Sequence, residues 1–415
     1  LPFQRSGTGY EDLMAYDMGR MVLRGLLSRT GLPPQRIDRV VMGSVIQDPE
    51  TSNVARESAL AAGIPNSVPA FTVTMACISS NQALTNGVDL LRTGQADVVV
   101  AGGTETLSDP PIRVARPLRK RLFEARKAKG PSDYVELLEG LRPSDLLPES
   151  PAIAEFSTGE VMGESADRLA ATFGVSREEQ DAYALRSHRR AATARDAGHL
   201  DSELHPATPP PNCAPITTDN VVRDDTSMEK LQSLPPAFVD PYGTVTAGNS
   251  SALTDGASAT LLMAEEVADA EGFSPQAALR DYTYVAQDPG TELLLGPAYA
   301  IPQVLDGAGL SLDDIDVVEL HEAFAGQVLA VLEALQSDTF AEENLNRSSA
   351  VGTIDPERLN AWGGSLSLGH PFGATGTRLV TTAAHRLQVE DGQWALVAAC
   401  AAGGQGHALL LERRP

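Results

Sequence analysis

The sequence predicts an α/β protein built from two similar halves, each a largely parallel sheet covered by helices. Three observations carry that reading. Short aliphatic runs such as ADVVVA at Ala96–Ala101 show no polar alternation, so both faces are buried, as in a parallel sheet. Segments with helical spacing alternate with these runs. The pattern then recurs: IDRVVMGSV at Ile37 and ADVVVAGG at Ala96 have counterparts in IDVVELHEA at Ile315 and WALVAACAAGG at Trp394.

In chain order, Asp12–Thr30 carries apolar residues at helical spacing and stops near Gly31-Leu32-Pro33-Pro34. Ile37–Ile46 reads as a strand interrupted by Gly43, and Asn53–Ala62 as a helix of small side chains ended by Gly63. Phe71–Thr74 reads as a buried strand. Cys77 follows it, and a helix with Ala83, Leu84, Val88 and Leu91 on one face runs to Gly94. After Ala96–Ala101 the composition changes. From Asp109 to Tyr242 prolines and charges dominate, and the best helices are Gly163–Phe173 and Ser176–Ala197, the latter with a capping-box start at Ser176 and Glu179. This stretch is an excursion from the sheet, a mostly helical lid. Regularity returns with a strand at Ala257–Ala264, helix Pro297–Ala308, strand Ile315–Leu320 and helix Ala323–Leu335. An extra loop at Asp338–Asn360, helix Thr375–Leu387 and strand Trp394–Ala399 complete the second half.

Bulk properties narrow the function classes. The 415 residues are 42% hydrophobic with only 5% aromatic residues, which fits an Ala-, Val- and Leu-rich globular protein of two or three domains. No apolar run approaches the ~20 residues of a membrane-spanning helix. Three cysteines, Cys77, Cys213 and Cys400, without CxxC spacing favour thiol chemistry in a reducing compartment over disulfides or structural zinc. A net charge of −23 argues against general nucleic-acid binding. Ile112–Gly130 breaks that trend with eight Lys or Arg and one Glu, a local +7 that leaves −30 elsewhere. The chain opens at Leu1 without a methionine, so a leading strand or targeting peptide is expected upstream.

Four residues stand where chemistry is expected. Cys77 lies at a strand-to-helix turn, where unpaired backbone N–H groups favour a thiolate, so easier ionisation than in a free cysteine is the expectation. His370 lies in Asn360–Gly376, where five glycines crowd a turn before a helix and permit close backbone approach. No Lys-Ser, Lys-Thr or GxGxxG pattern makes that turn a nucleotide loop. Cys400 ends a strand and precedes Ala-Ala-Gly-Gly, small residues that let backbone N–H groups face a ligand atom. His321 follows a strand and opens a helix. Three of the four follow a strand directly, at the edge where open α/β sheets bind ligands.

These blocks carry a resemblance. MACISSNQAL around Cys77, HEAFAGQ at His321, GGSLSLGHPFGATG around His370 and CAAGGQG at Cys400 resemble the four signature blocks of the thiolase family, in order. The chain is most similar to the branch formed by the β subunit of the trifunctional fatty-acid β-oxidation complex, which TVTAGNSSALTDGASA at Thr244 and EFSTGEVMGESADRLA at Glu155 also resemble. The resemblance implies a five-layered αβαβα core. Its units would be an N-terminal half, 1–110 with 243–272, an inserted loop domain, 111–242, and a C-terminal half, 273–415. LPFQRSGT would begin just after the family's first strand.

It also implies a 3-ketoacyl-CoA thiolase acting by a ping-pong route. Cys77 would attack the C3 keto carbon and keep the acyl group, Cys400 would protonate the departing acetyl-CoA carbanion, and His370 would take the Cys77 proton. Coenzyme A would be a co-substrate, with no permanently bound cofactor and no metal. One oxyanion hole would comprise His370 and a water at His321, a position that is Asn in many thiolases. The other would use the N–H groups of Cys77 and of Ala402, where Gly is commoner. Met162, Ala247, Ser251 and Phe324 would line the pantetheine and acyl tunnel. A biosynthetic acetoacetyl-CoA thiolase and a non-catalytic lipid-binding member of the fold are the alternatives.

Partners implied are a second copy in a homodimer core and a hydratase–dehydrogenase α subunit. A bacterial cytoplasmic location is expected, with a mitochondrial, membrane-associated one as the alternative. In the basic stretch Val114, Leu118 and Leu122 fall at i, i+4 and i+8, so a basic amphipathic helix is expected beyond Pro117. A solvated face, an anionic membrane surface, coenzyme A phosphates and an α-subunit interface all remain open for it. Cys213 carries no role, and His188, His199, His205, His385 and His407 read as structural.

Overall fold

The structure, a computed structural model, describes residues 1–137, 139–149, 151 and 154–414. Its strands are β1 (Gln4–Arg5), β2 (Arg39–Gly43), β3 (Ala70–Val73), β4 (Val98–Glu105), β5 (Arg113–Val114), β6 (Pro148–Glu149), β7 (Thr254–Met263), β8 (Ala277–Ala286), β9 (Val317–Leu320), β10 (Trp394–Ala401) and β11 (Gln405–Arg413). The first half forms one sheet in the order β1-β7-β4-β2-β3, and the second half another in the order β8-β11-β10-β9. In each, one parallel pair (β2 with β4, β9 with β10) sits beside an antiparallel one (β4 with β7, β10 with β11). Even the missing partner of β9 has a trace, because Val318 bridges Leu359 in parallel where β2 pairs with β3. The duplication expected from sequence is therefore present in the topology.

Five layers result. Helices Ser79–Arg92 and Thr375–Val389 pack on each other between the two sheets, Ala15–Thr30 and Val54–Ala61 cover the outer face of the first, and Gly296–Ala308 and Ala325–Gln336 cover that of the second. The central layer is held by Leu84 and Val88 from one half against Leu379, Ala383 and Leu387 from the other, with Val317, Val397 and Leu409 beneath them. Each such leucine, taken fully from water, contributes about 2 kcal/mol. Helix Ser79–Arg92 ends at Thr93 because Gly94 turns left-handed with φ 66°.

Several expectations are corrected. The sheets are mixed rather than largely parallel, since β7 and β11 return antiparallel. The strand before Cys77 is an edge strand, half-buried along its length and exposing Phe71, because no strand among the described residues pairs beyond β3. Strands β8 and β11 were not foreseen. Gln4 and Arg5 form a short strand at the edge of the first sheet, paired with Asp255 and Thr254. In the insertion, Val114 belongs to the two-stranded β5–β6 ribbon; the basic helix runs from Arg116 to Ala125, with proline in its first turn. Helices Met162–Thr172 and Arg177–Asp196 form as expected, the second with its Ser176–Glu179 box, and the extra loop near 338 holds a helix, Asp338–Asn344.

Candidate active site

Cys77 sits at the end of a tight turn whose preceding residue, Ala76, adopts φ 46°, a left-handed conformation that costs an alanine about 1 kcal/mol. Ser79 holds the turn: its Oγ accepts from the Met75 N–H at 2.8 Å and donates to the Ala76 carbonyl at 2.7 Å. The N–H groups of Ala402 and of Cys77 itself point at the sulfur, the pair the resemblance implied for an oxyanion hole. The expectation of easy ionisation is overturned. Burial pushes the thiol up to about 11, outweighing those two N–H groups, and the Glu105 carboxylate adds to the rise. The covering atoms come from the other half, where Ala399 and Ala401 pack with Ile78, Met75 and Cys77.

Cys400 lies on β10, buried, and its thiol is driven far above the ordinary range, first by burial and then by the nearby Cys77 sulfur. It is a neutral thiol, suited to giving a proton to carbon.

His321 and His370 are both buried, with ring centroids 4.2 Å apart. The His321 N–H donates to the Ala398 carbonyl, which ties the end of β9 to β10. The backbone of His370 bonds to Ala252. His321 Nδ1 pairs with Ser365 Oγ at 2.8 Å and His370 Nδ1 with Thr375 Oγ1 at 2.7 Å. The Thr375 hydroxyl donates to the Pro371 carbonyl, so it accepts from His370 Nδ1–H, which leaves Nε2 as the lone-pair nitrogen. Neither Nε2 has a hydrogen-bond partner among the described residues. Burial holds His321 down at about 3, and burial with the His321 charge keeps His370 well below its usual value, so both are neutral near pH 7. The Cys77 sulfur and one ring nitrogen of each histidine lie within 4.8 Å of one another.

Two buried carboxylates that the sequence reading passed over brace this cluster. Glu105, at the end of β4, accepts from the N–H groups of Val45, Ile46 and Gly373 at 2.9–3.0 Å, and burial pushes it up to about 8 against their pull. Glu322 accepts from Tyr183, Ser187, Asn360 and the Leu366 N–H, fixing the residue after His321 to the loop before His370. The available signal was position: Glu105 ends a buried strand and Glu322 follows one by two residues. A third, Glu155 of the insertion, accepts from the Gly403 N–H at 2.7 Å and so braces the turn that carries Ala402.

The tunnel candidates are placed differently. Phe324 begins helix Ala325–Gln336, bridges Ser250 and meets Phe238 edge to face at 6.0 Å. The Ser251 N–H donates to the Ala323 carbonyl at 2.9 Å. Met162 begins helix Met162–Thr172 and packs on the same apolar cluster as Phe324, whereas Ala247 is exposed. A cavity of about 830 Å³ lies elsewhere, along β7 beside Leu1 and Arg378, and holds none of these residues. The other five histidines make structural contacts: His407 stacks on Tyr284, His199 on Trp362, His385 pairs with Ser202, His188 accepts from the Arg223 N–H, and His205 packs over Gly25.

Comparison with known proteins agrees with this architecture. Residues 1–266 match the family model described as thiolase, N-terminal domain, and residues 273–413 that of thiolase, C-terminal domain. The mitochondrial trifunctional enzyme subunit beta of Mus musculus is 57% identical over 415 residues, covering 100% of this chain and 87% of that protein. A 3-ketoacyl-CoA thiolase of Yersinia pestis is 44% identical over 411 residues, 99% of this chain and 94% of the relative. The crystal structure of human mitochondrial 3-ketoacyl-CoA thiolase in complex with CoA superposes with a TM-score of 0.84 at 32% identity, covering 100% of this chain and 96% of that one. The chain belongs to the thiolase family.

Proposed function

We propose that the chain is a 3-ketoacyl-CoA thiolase, an acyltransferase of fatty-acid β-oxidation that uses coenzyme A as co-substrate and no permanently bound cofactor. The observation that carries this reading is the convergence at one sulfur. Cys77 Sγ lies within 4.8 Å of one ring nitrogen each of His321 and His370, two backbone N–H groups point at it, and a second, neutral thiol is close by. Cys77 attacks the C3 keto carbon while its proton passes to His370 Nε2. The new N–H, with His321 beside it, then faces the developing oxyanion. The C2–C3 bond breaks, its electron pair goes to C2, and Cys400 delivers the proton that completes acetyl-CoA. The acyl group stays on Cys77 as a thioester that presents its oxygen to the N–H groups of Cys77 and Ala402. The Cys400 thiolate takes the proton of a second coenzyme A thiol, whose sulfur displaces Cys77 and releases the shortened acyl-CoA, while the Cys77 sulfur recovers its proton from His370. Met162, Ala247, Ser251 and Phe324 line the approach of pantetheine and acyl chain.

The units of the molecule are 1–110 with 243–272, 111–242 and 273–415, a division supported by β7 rejoining the first sheet after the insertion. An α-subunit partner is supported by the relatives called trifunctional enzyme subunit beta; a homodimer core belongs to the same reading, and residues 113–129 are a candidate for peripheral membrane contact. Relatives are named from mitochondria and from a bacterium, and no helix among the described residues is long and apolar enough to cross a membrane. The test is CoA-dependent cleavage of 3-ketoacyl-CoA of graded chain length: activity that vanishes in Cys77→Ala supports the reading, and undiminished cleavage by that variant overturns it.

A further inference from the structure

The three side chains that converge on the substrate carbonyl also form a donor set of a second kind. Cys77 Sγ and one ring nitrogen each from His321 and His370 lie within 4.8 Å of one another. The Nδ1 atoms are already taken by Ser365 and Thr375, so Nε2 is the nitrogen each ring has left, and both Nε2 atoms are buried with no hydrogen-bond partner among the described residues. An imidazole pinned by a hydrogen bond at one nitrogen and free at the other is how ligating histidines are oriented in metal centres. One thiolate and two neutral imidazoles suit a borderline-soft cation, which takes sulfur at about 2.3 Å and nitrogen at about 2.0–2.1 Å. Hard cations such as Mg²⁺ and Ca²⁺ need oxygen donors, and this set has none.

We propose that Cys77, His321 and His370 capture Zn²⁺ reversibly and that the zinc-loaded enzyme is inactive until the metal is withdrawn. Capture exchanges the Sγ–H bond for an Sγ–Zn bond and releases one proton to solvent, with no change of oxidation state. Three protein ligands leave one tetrahedral position for water or an external thiol. The metal ties up the attacking sulfur and both imidazoles, so zinc competes with 3-ketoacyl-CoA for the free enzyme. His321 decides the matter: with Asn in that position, as the resemblance assigns to many thiolases, two donors remain, too few to hold zinc firmly. Inhibition rests on the thiolase reading above, whereas binding does not.

The experiment uses the full chain stripped with chelator. Cobalt(II) is titrated as an optical probe, and zinc affinity is read by competition with a chromophoric chelator. The expected result is one tight site with sulfur-to-cobalt charge transfer and the intense visible bands of tetrahedral cobalt. Cys77→Ser should abolish the charge transfer, and His321→Asn should weaken zinc by about tenfold or more. Cys213→Ala, which removes the exposed thiol, should change nothing. Thiolysis by the wild type should fall with zinc and return with chelator. Equal binding by wild type and His321→Asn, or loss of the site in Cys213→Ala, overturns the proposal. A chain that binds zinc through Cys77 but shows no thiolysis when metal-free sinks the thiolase reading and leaves the binding site standing; thiolysis without zinc binding does the reverse.

Discussion

Cys77 is pulled in two directions by its surroundings. The turn before helix Ser79–Arg92 and the Ala402 N–H favour a thiolate, while the packing of Ala399, Ala401 and Ile78 around the half-buried sulfur leaves it less hydrated and favours the thiol. Burial wins, with the thiol up at about 11 and both imidazoles neutral, so the resting site is a thiol beside two neutral rings rather than a thiolate–imidazolium pair. The proton therefore leaves sulfur as the substrate carbonyl gains charge, which confines nucleophilic character to the occupied site. The consequence is measurable in the free enzyme. Only the thiolate alkylates, so with a pKa near 11 its fraction near pH 7 is about 10⁻⁴ and grows roughly tenfold per pH unit. Inactivation by iodoacetamide, followed with chelator present, should climb about tenfold per unit from pH 7 to 10. A rate that already levels off near pH 7 would show that the ion pair exists at rest.

At the scale of elements, the meeting of the β4 end with the His370 loop explains why Gly103 and Gly373 are glycines. A Cβ on Gly103 would overlap the Gly373 carbonyl, and Gly373 in turn lies against the backbone of Thr104, Gly43 and Ser44. Gly103→Ala should therefore cost about 1–3 kcal/mol or more through overpacking. Because the loop must shift, thiolysis should fall further than stability alone explains. Denaturant unfolding and kcat measured on the folded fraction separate the two effects; an unchanged midpoint and rate would remove this account of the loop. The glycines were legible in the sequence as a shaped turn, but much of what crowds them lies far away in sequence: first-half backbone at Gly373, the Thr254 side chain at Gly369 and the Asn81 side chain at Gly376. The same limit applies elsewhere. The Cys77 strand–turn–helix could be read locally from its β-branched run and the spacing of Ala83, Leu84 and Val88. Its acidity could not, because the covering alanines come from residues 399 and 401. Strand β11 escaped because GHALLLER is told apart from a short helix only by its antiparallel pairing to β10 and β8. Glu105 and Glu322 escaped because a carboxylate after a strand becomes a brace only when distant N–H groups close on it.

At the scale of the whole molecule, charge is distributed unevenly. A body of −30 carries one segment of +7, and that segment lies in the insertion rather than in the duplicated core. The basic helix Arg116–Ala125 keeps no fully buried residue, and Leu122, Phe123 and the nearby Ile112 are exposed beside Arg119 and Lys120. Exposed apolar side chains among cations suit the interfacial region of an anionic bilayer, which a purely solvated charged face would not require. Each Lys or Arg near such a surface is worth about 1 kcal/mol, so the triple substitution Arg119→Ala, Lys120→Ala and Arg121→Ala should remove up to about 3 kcal/mol, on the order of a hundredfold in binding. Arg121 also pairs with Glu124 at 3.4 Å, which places the loss somewhat below that ceiling. Sedimentation with vesicles of about 30 mol % phosphatidylserine in phosphatidylcholine measures it. The wild type should pellet at low salt and be released at high salt, as screening of exposed charges demands, and the triple variant should stay in solution with its thiolysis intact. Should the variant instead bind vesicles as the wild type does while its KM for coenzyme A rises, the segment serves coenzyme A phosphates and the membrane reading falls.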